Sequence, residues 1–274
     1  MPSLPDGTII PALGQGTWHM GEGARPRAQE ADALRLGLDL GMTLVDTAEM
    51  YAEGGAEEVV GEAIAGRRDE VFLVSKVYPH NASRQGAVAA CERSLQRMGV
   101  ETIDLYLLHW RGSHPLSETV EAFEALKHAG KIRHWGVSNC DVDDLDELGP
   151  ALKDCAADQV LYSLEHRGAE FDLLPFCTRR GVPVMAYSPV GQGGKLLRHR
   201  ALHDVAARHV ITPAQVAIAW TLRDPNIVSI PKASDPVHVR QNAAARDVRL
   251  TADDLATLDA AFAPPSRKRG LAML

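Results

Sequence analysis

The sequence predicts a (β/α)8 TIM barrel with an N-terminal β-hairpin and an extra C-terminal helix. Three observations carry this. Eight short apolar runs, rich in Val, Ile and Leu, begin at residues 14, 43, 71, 103, 132, 158, 183 and 227. They recur every 25–32 residues, apart from one 44-residue interval before the last. The segments between them carry apolar residues at helical spacing. Strands apolar on both faces and joined by helical crossovers form a parallel sheet, and eight such units close into a barrel. An open doubly wound sheet, the alternative, would usually need a glycine-rich phosphate turn. Neither G-x-G-x-x-G nor G-x-x-x-x-G-K-[ST] occurs here.

The elements follow in order. Asp6-Gly7, between short apolar runs, predicts a tight hairpin turn with both residues at positive φ. GQGTW (14–18) is the first strand. AQEADALRLGLDLG (28–41) is a helix with Ala31, Leu34 and Leu38 on one face and a stop at Gly41. TLVDTA (43–48), VFLVSKV (71–77), IDLYLLHW (103–110) and IRHWGVSN (132–139) are the next strands. They alternate with helices EEVVGEAIAG, RQGAVAACERSLQRMG and SETVEAFEALKHAG. In the last of these Ser117 is the expected N-cap, with Glu118 and Glu121 in the first turn. DQVLYSL (158–164), PVMAYSPV (183–190) and IVSIPKAS (227–234) complete the barrel. The long interval holds GQGGKLLRHR, an extra helical segment, and a helix PAQVAIAWTLRD opened by Thr212-Pro213. An eighth helix at about 237–245 and a terminal helix capped by Thr251 follow. The basic tail PPSRKRGLAML reads as mobile. Residues 1–274 are expected to form one barrel domain whose short C-terminus leaves the pocket open.

Composition sets outer limits. Apolar residues make up 45% and charged residues 24%, an ordinary globular mixture. A net charge of −7 argues against a nucleic-acid partner. No apolar run is long enough to span a membrane, and no secretory signal precedes the first strand. The four cysteines, at 91, 140, 155 and 177, lack C-x-x-C or zinc spacing, so no metal is expected and a reducing cytoplasm is.

In a barrel of this kind, chemistry sits at the C-terminal ends of the strands. Asp46 ends the second, with Tyr51 in the loop after it. Lys76 ends the third, His109 and Trp110 the fourth, and Ser138 and Asn139 the fifth. Tyr187 and Ser188 end the seventh, and Lys232 and Ser234 the eighth. Gln159 falls at the expected start of the sixth strand, where this rule does not predict it. A tyrosine, with a pKa near 10, is a poor acid until a nearby Lys⁺ favours its phenolate. Asp46 can hold that lysine, and His109 can donate to a substrate oxygen. The set suits proton transfer at an oxygen beside a carbonyl carbon. None of these groups carries electrons, so a redox reaction would need an organic cofactor.

GMTLVDTAEMY, LVSKV, DLYLLHW, WGVSN, DQVLYS, AYSP and SIPKAS, in this order and spacing, resemble the aldo-keto reductases over roughly residues 10 to 262. AEMYAEGGAEEVVGEA, FLVSKVYP and VHVRQNAA are most like bacterial members that reduce methylglyoxal and other small aldehydes. The resemblance implies NADPH-dependent reduction of aldehydes and ketones, with Tyr51 as proton donor and Lys76, paired with Asp46, lowering its pKa. His109 orients the carbonyl. The resemblance also implies that Ser138, Asn139 and Gln159 hold the nicotinamide amide and that Tyr187 stacks on its ring. Ser188, Val190 and Gln192 then lie near the pyrophosphate, and Thr17 and Trp18 near the nicotinamide ribose. Lys232 would meet the 2′-phosphate, with Ser234, His238, Gln241 and Asn242 alongside. The family often has an arginine where this chain has His238, and Arg240 lies on another helix face. NADPH is therefore expected, with NADH possible. Trp18, Met50, Tyr78 and Trp110 are expected to wall the substrate pocket. His19, His80, His199 and His203 receive no role. The expected partner is a small carbonyl substrate, and the expected assembly a monomer or weak homo-oligomer. Two alternatives stay open. One is a nicotinamide-binding regulatory subunit with little turnover. The other is a barrel enzyme that uses phosphorylated substrates and no nicotinamide.

Overall fold

A computed structural model describes residues 2–274. Eight parallel strands pair in chain order: β1 (Gly14–Gly16), β2 (Leu44–Asp46), β3 (Phe72–Val77), β4 (Ile103–Leu108), β5 (Ile132–Ser138), β6 (Cys155–Leu161), β7 (Val184–Tyr187) and β8 (Ile227–Ile230). Parallel bridges Leu13↔Ser229 and Gly16↔Lys232 bring β8 back against β1, so the sheet closes into a (β/α)8 barrel. The helices are α1 (Arg27–Asp39), α2 (Gly55–Ile64), α3 (Arg84–Met98), α4 (Leu116–His128), α5 (Val142–Glu147), α6 (Leu173–Arg180), α7 (Arg200–His209), α8 (Pro213–Thr221), α9 (Pro236–Ala244) and α10 (Ala252–Ala261). The extra segment in the long interval is α7, and the terminal helix is α10. No helix among the described residues is long and apolar enough to cross a membrane.

Two apolar layers hold the barrel. The outer one lies between strands and helices, with Trp135, Tyr106, Phe123 and Trp220 fully or almost fully buried. The inner one fills the barrel with Leu44, Val74, Leu105, Leu107, Met185 and Val228. Leu4 and Ile10, from the N-terminal hairpin, join this inner layer and close the barrel base. Full burial of such side chains stabilises by about 1.5–3 kcal/mol each.

Three local expectations change. The hairpin forms around the Ser3↔Ile9 bridge, but only Gly7 takes a positive φ, at 88°. The Gly7 N–H donates to the Leu4 carbonyl, so Pro5 and Asp6 are the central turn residues. Proline presets φ for the first central position, which shifts the turn back by one residue. The second change is at α4, which begins at Leu116, with Pro115 rather than Ser117 as its N-cap. Leu116 is 3% exposed, and its burial draws the helix start back. The third is that β6 begins at Cys155, three residues earlier than predicted. Cys155, Ala156 and Ala157 carry little strand propensity, and their burial between β5 and β7 supplies what pattern lacks. Gln159 therefore sits in the C-terminal half of the strand, as the barrel rule requires.

Asp158 is an exception in this core. It is fully buried, and neither carboxyl oxygen has a hydrogen-bond partner. Burial pushes its pKa well above the ordinary value, and the nearby Cys140 backbone, too poorly aligned for a hydrogen bond, opposes this only weakly. The folded state then binds the proton more tightly than the unfolded chain. This stability is complete below the ordinary value of about 4 and is lost as pH rises toward the folded value. Asp158→Asn keeps the shape without the charge. It should raise the melting temperature by several degrees at pH 8 and change little at pH 4. An equal effect at both pH values, measured by thermal melts, would contradict this account.

Candidate active site

The strand ends bring Asp46, Lys76, Tyr51 and His109 to one mouth. Lys76, at 0% exposure, projects from β3 and donates to Asp46 Oδ2 at 2.7 Å, to the Thr47 carbonyl at 2.8 Å and to Tyr51 Oη at 3.3 Å. Its ammonium lies 4.9 Å from the Tyr51 ring centroid. Gln159 Nε2 donates to the other Asp46 oxygen at 2.7 Å. Both carboxylate oxygens thus accept from buried donors, an arrangement that favours the ionised pair. The Tyr51 and His109 rings meet edge to face, 5.6 Å between centroids.

The electrostatics follow from burial first. Burial pushes the Tyr51 phenol above its ordinary pKa, with Lys76 pulling it down. The expected lowering by Lys76 is present, but desolvation outweighs it. Burial pulls Lys76 down, yet Asp46 and Tyr51 hold the ammonium above its ordinary value. Burial, assisted by Lys76, drives His109 well below its ordinary value, so its imidazole is neutral. Its buried Nδ1 has no hydrogen-bond partner.

Two cavities adjoin this cluster. One of about 770 Å³ is lined by Thr17, Trp18, Asp46, Tyr51, Tyr187, Ser188, Val190, Gln192, Lys232, Ser234, His238, Gln241 and Asn242. Such a volume suits an extended organic ligand. A smaller one of about 140 Å³ is lined by Trp18, Met50, Tyr51, His109, Trp110, Ser138, Asn139, Gln159 and Tyr187. Tyr187 Oη donates to Asn139 Oδ1 at 2.9 Å, and Asn139 Nδ2 donates to the His109 carbonyl at 3.0 Å. The Tyr187 ring is thereby tied to the loop beside His109. Asn139, Ser188, Gln192 and His19, all in the cavity walls, have φ of 57°, 50°, 58° and 66°. Non-glycine residues in this left-handed region store strain, which concentrates at binding loops.

Three expectations about the pocket change. Tyr78 lines neither cavity; it packs edge-on to Trp110, 5.2 Å between centroids, and its N–H donates to Glu49 Oε1. His19 and His203, given no role by spacing, line the large cavity, and so does Arg25. The tail is held in place rather than free. Lys268 reaches Asp141 and, at 2.7 Å, Asp172, and Met273 and Leu274 line the small cavity. The C-terminus therefore contributes to the wall of the smaller cavity, where the sequence predicts an open site.

The large cavity has the chemistry of a dinucleotide phosphate site. Ser234 Oγ is a buried polar atom with no partner. Lys232 stands beside it at the entry to α9, whose N-terminal N–H groups favour an anion. These features fit a phosphorylated nicotinamide cofactor.

Comparisons with known proteins agree with this geometry. The model of the Aldo/keto reductase family matches residues 12–263. Methylglyoxal reductase YeaE of Escherichia coli is 52% identical over 271 residues, 97% of this chain and 95% of that protein. Glyoxal reductase of Bacillus subtilis is 32% identical over 94% of this chain and 91% of its own length. A crystal structure of an aldo/keto reductase from Klebsiella pneumoniae in complex with NADP and acetate superposes with a TM-score of 0.96 at 51% identity. It covers 99% of this chain and 98% of its own. A second Klebsiella pneumoniae structure, in complex with NADPH, matches equally well.

Proposed function

The chain belongs to the aldo/keto reductase family, and on that premise we propose that it reduces small aldehydes and methylglyoxal-like dicarbonyls with NADPH, using Tyr51 as the proton donor. The contact chain from Asp46 through Lys76 to Tyr51, beside the neutral His109, carries this reading. When bound, NADPH supplies the hydride. Lys76, anchored by Asp46 and Thr47, stabilises the phenolate that remains once Tyr51 releases its proton. His109 holds the carbonyl oxygen toward Tyr51 without competing as an acid. Gln159 fixes Asp46 and thereby Lys76. Ser138, Asn139 and Tyr187 shape the wall where the nicotinamide would rest. Lys232, Ser234 and His238 form the phosphate end. The residues thus divide one site between cofactor cleft and carbonyl pocket within one barrel unit. Four buried free thiols fit a reducing compartment such as the cytoplasm. A small carbonyl compound, rather than a nucleic acid, is the partner this surface suits, acting on a monomer or weak homo-oligomer.

The test is NADPH and NADH absorbance decay across a panel from methylglyoxal to bulky aromatic aldehydes, for the wild type and Lys268→Ala. The wild type should oxidise NADPH fastest with the small dicarbonyls. Lys268→Ala frees the tail that carries Met273 and Leu274 and should shift relative kcat/KM toward the bulky aldehydes, by about threefold or more. An unchanged substrate ranking would separate the tail from substrate selection.

A further inference from the structure

We infer that Arg25, from the loop between β1 and α1, supplies the guanidinium that recognises the cofactor 2′-phosphate, the work an arginine at position 238 would otherwise do. The inference rests on the NADPH reading above and adds a residue from a different element of the fold. Its loop is anchored on both sides. The Gly21 N–H donates at 2.8 Å to Glu30 Oε2, and Pro26 is the N-cap of α1. Gly21, at φ 79°, also lies so close to Gly55 that a Cβ there would meet backbone at 2.6 Å. Between these anchors Arg25 enters the wall of the large cavity, alongside Lys232, Ser234, Asp235 and His238.

The Arg25 guanidinium is only loosely held. Its carboxylate partner is Asp235 Oδ2, at 3.8 Å, an ion-pair distance beyond hydrogen-bond length. Asp235 is itself engaged as the N-cap of α9, accepting the Val237 N–H at 2.8 Å through Oδ1. That bond offsets part of the carboxylate charge an incoming phosphate would meet. Arg25 is also near enough to Lys232 for their like charges to repel, which adds to the effect of burial in lowering the Lys232 pKa. In a chain of net charge −7, these two cations face one cavity wall, with Asp235 beside Arg25 and Glu30 and Glu22 near Lys232. The buried, unpartnered Ser234 Oγ, 9% exposed as a residue, belongs to the same cavity wall. A dianionic phosphate satisfies all three groups, and a guanidinium can grip two of its oxygens where an ammonium grips one. A 2′-hydroxyl offers nothing for Arg25 to pair with.

The test measures binding rather than turnover. Trp18 lines the cavity, so quenching of tryptophan fluorescence reads occupancy. NADPH, NADH, 2′,5′-ADP and 5′-AMP are titrated into the wild type, Arg25→Ala and Arg25→Lys. Arg25→Ala should weaken NADPH and 2′,5′-ADP by about tenfold or more and leave NADH and 5′-AMP within about twofold. Arg25→Lys should recover part of the loss. Equal weakening of both pairs, or none, overturns the inference. A wild type that fails to bind NADPH at all would instead remove the function on which it rests. Arg25 is 43% exposed in its side chain, so the variants should fold, and a thermal melt checks this.

Discussion

Tyr51→Phe should lose about 10³-fold in kcat for methylglyoxal while NADPH binding, read by fluorescence, stays within about twofold. The substitution removes only the hydroxyl. The ring keeps its edge-to-face contact with His109, and Lys76 keeps Asp46 and the Thr47 carbonyl after losing its 3.3 Å contact. What disappears is the one group in the mouth that can give a proton to the carbonyl oxygen. His109 cannot replace it, because burial holds its imidazole neutral. Paired kinetic and binding measurements check this. Near-normal turnover would mean that the proton comes from elsewhere.

Lys76→Met should damage both stability and turnover. The ammonium is fully buried and holds one Asp46 oxygen at 2.7 Å. Removing it leaves the buried Asp46 carboxyl without its counter-ion and facing only Gln159, a loss of about 3–5 kcal/mol in unfolding free energy. Turnover should fall by at least about 10², since nothing then stabilises the Tyr51 phenolate. The pair Asp46→Asn with Lys76→Met removes both charges. It should recover much of the stability and none of the activity. Denaturant melts and initial rates on the three variants separate the roles. Recovery of turnover in the double variant would show that Lys76 and Asp46 act on folding alone.

The catalytic cluster was legible in the sequence because two signals coincide there. Each of Asp46, Lys76 and His109 follows from the strand-end rule, and each stands inside a motif in register. Gln159 was misplaced because a strand that opens Cys-Ala-Ala announces itself by burial and not by residue type. The hairpin turn moved because Pro5, outside the Asp-Gly pair, fixes the backbone ahead of it. The tail was misread for a different reason. Lys268 meets Asp141 and Asp172 across more than ninety residues of chain, and such a contact leaves no trace in local composition. The cavity positions of Arg25 and His203 leave no local trace either. Arg25 lies in an irregular loop and His203 on α7, and only the closed barrel brings them to the same cavity as Lys232.

The central claim is that one chain both holds NADPH and turns it over through Tyr51. A single-turnover experiment tests it most directly: enzyme loaded with one equivalent of NADPH is mixed with methylglyoxal, and absorbance and product are followed together. Stoichiometric loss of NADPH and one hydroxyl product per cofactor are expected in the wild type, with the signal stalled in Tyr51→Phe. NADPH that binds and stays reduced in the wild type would contradict it and favour a regulatory, cofactor-sensing protein.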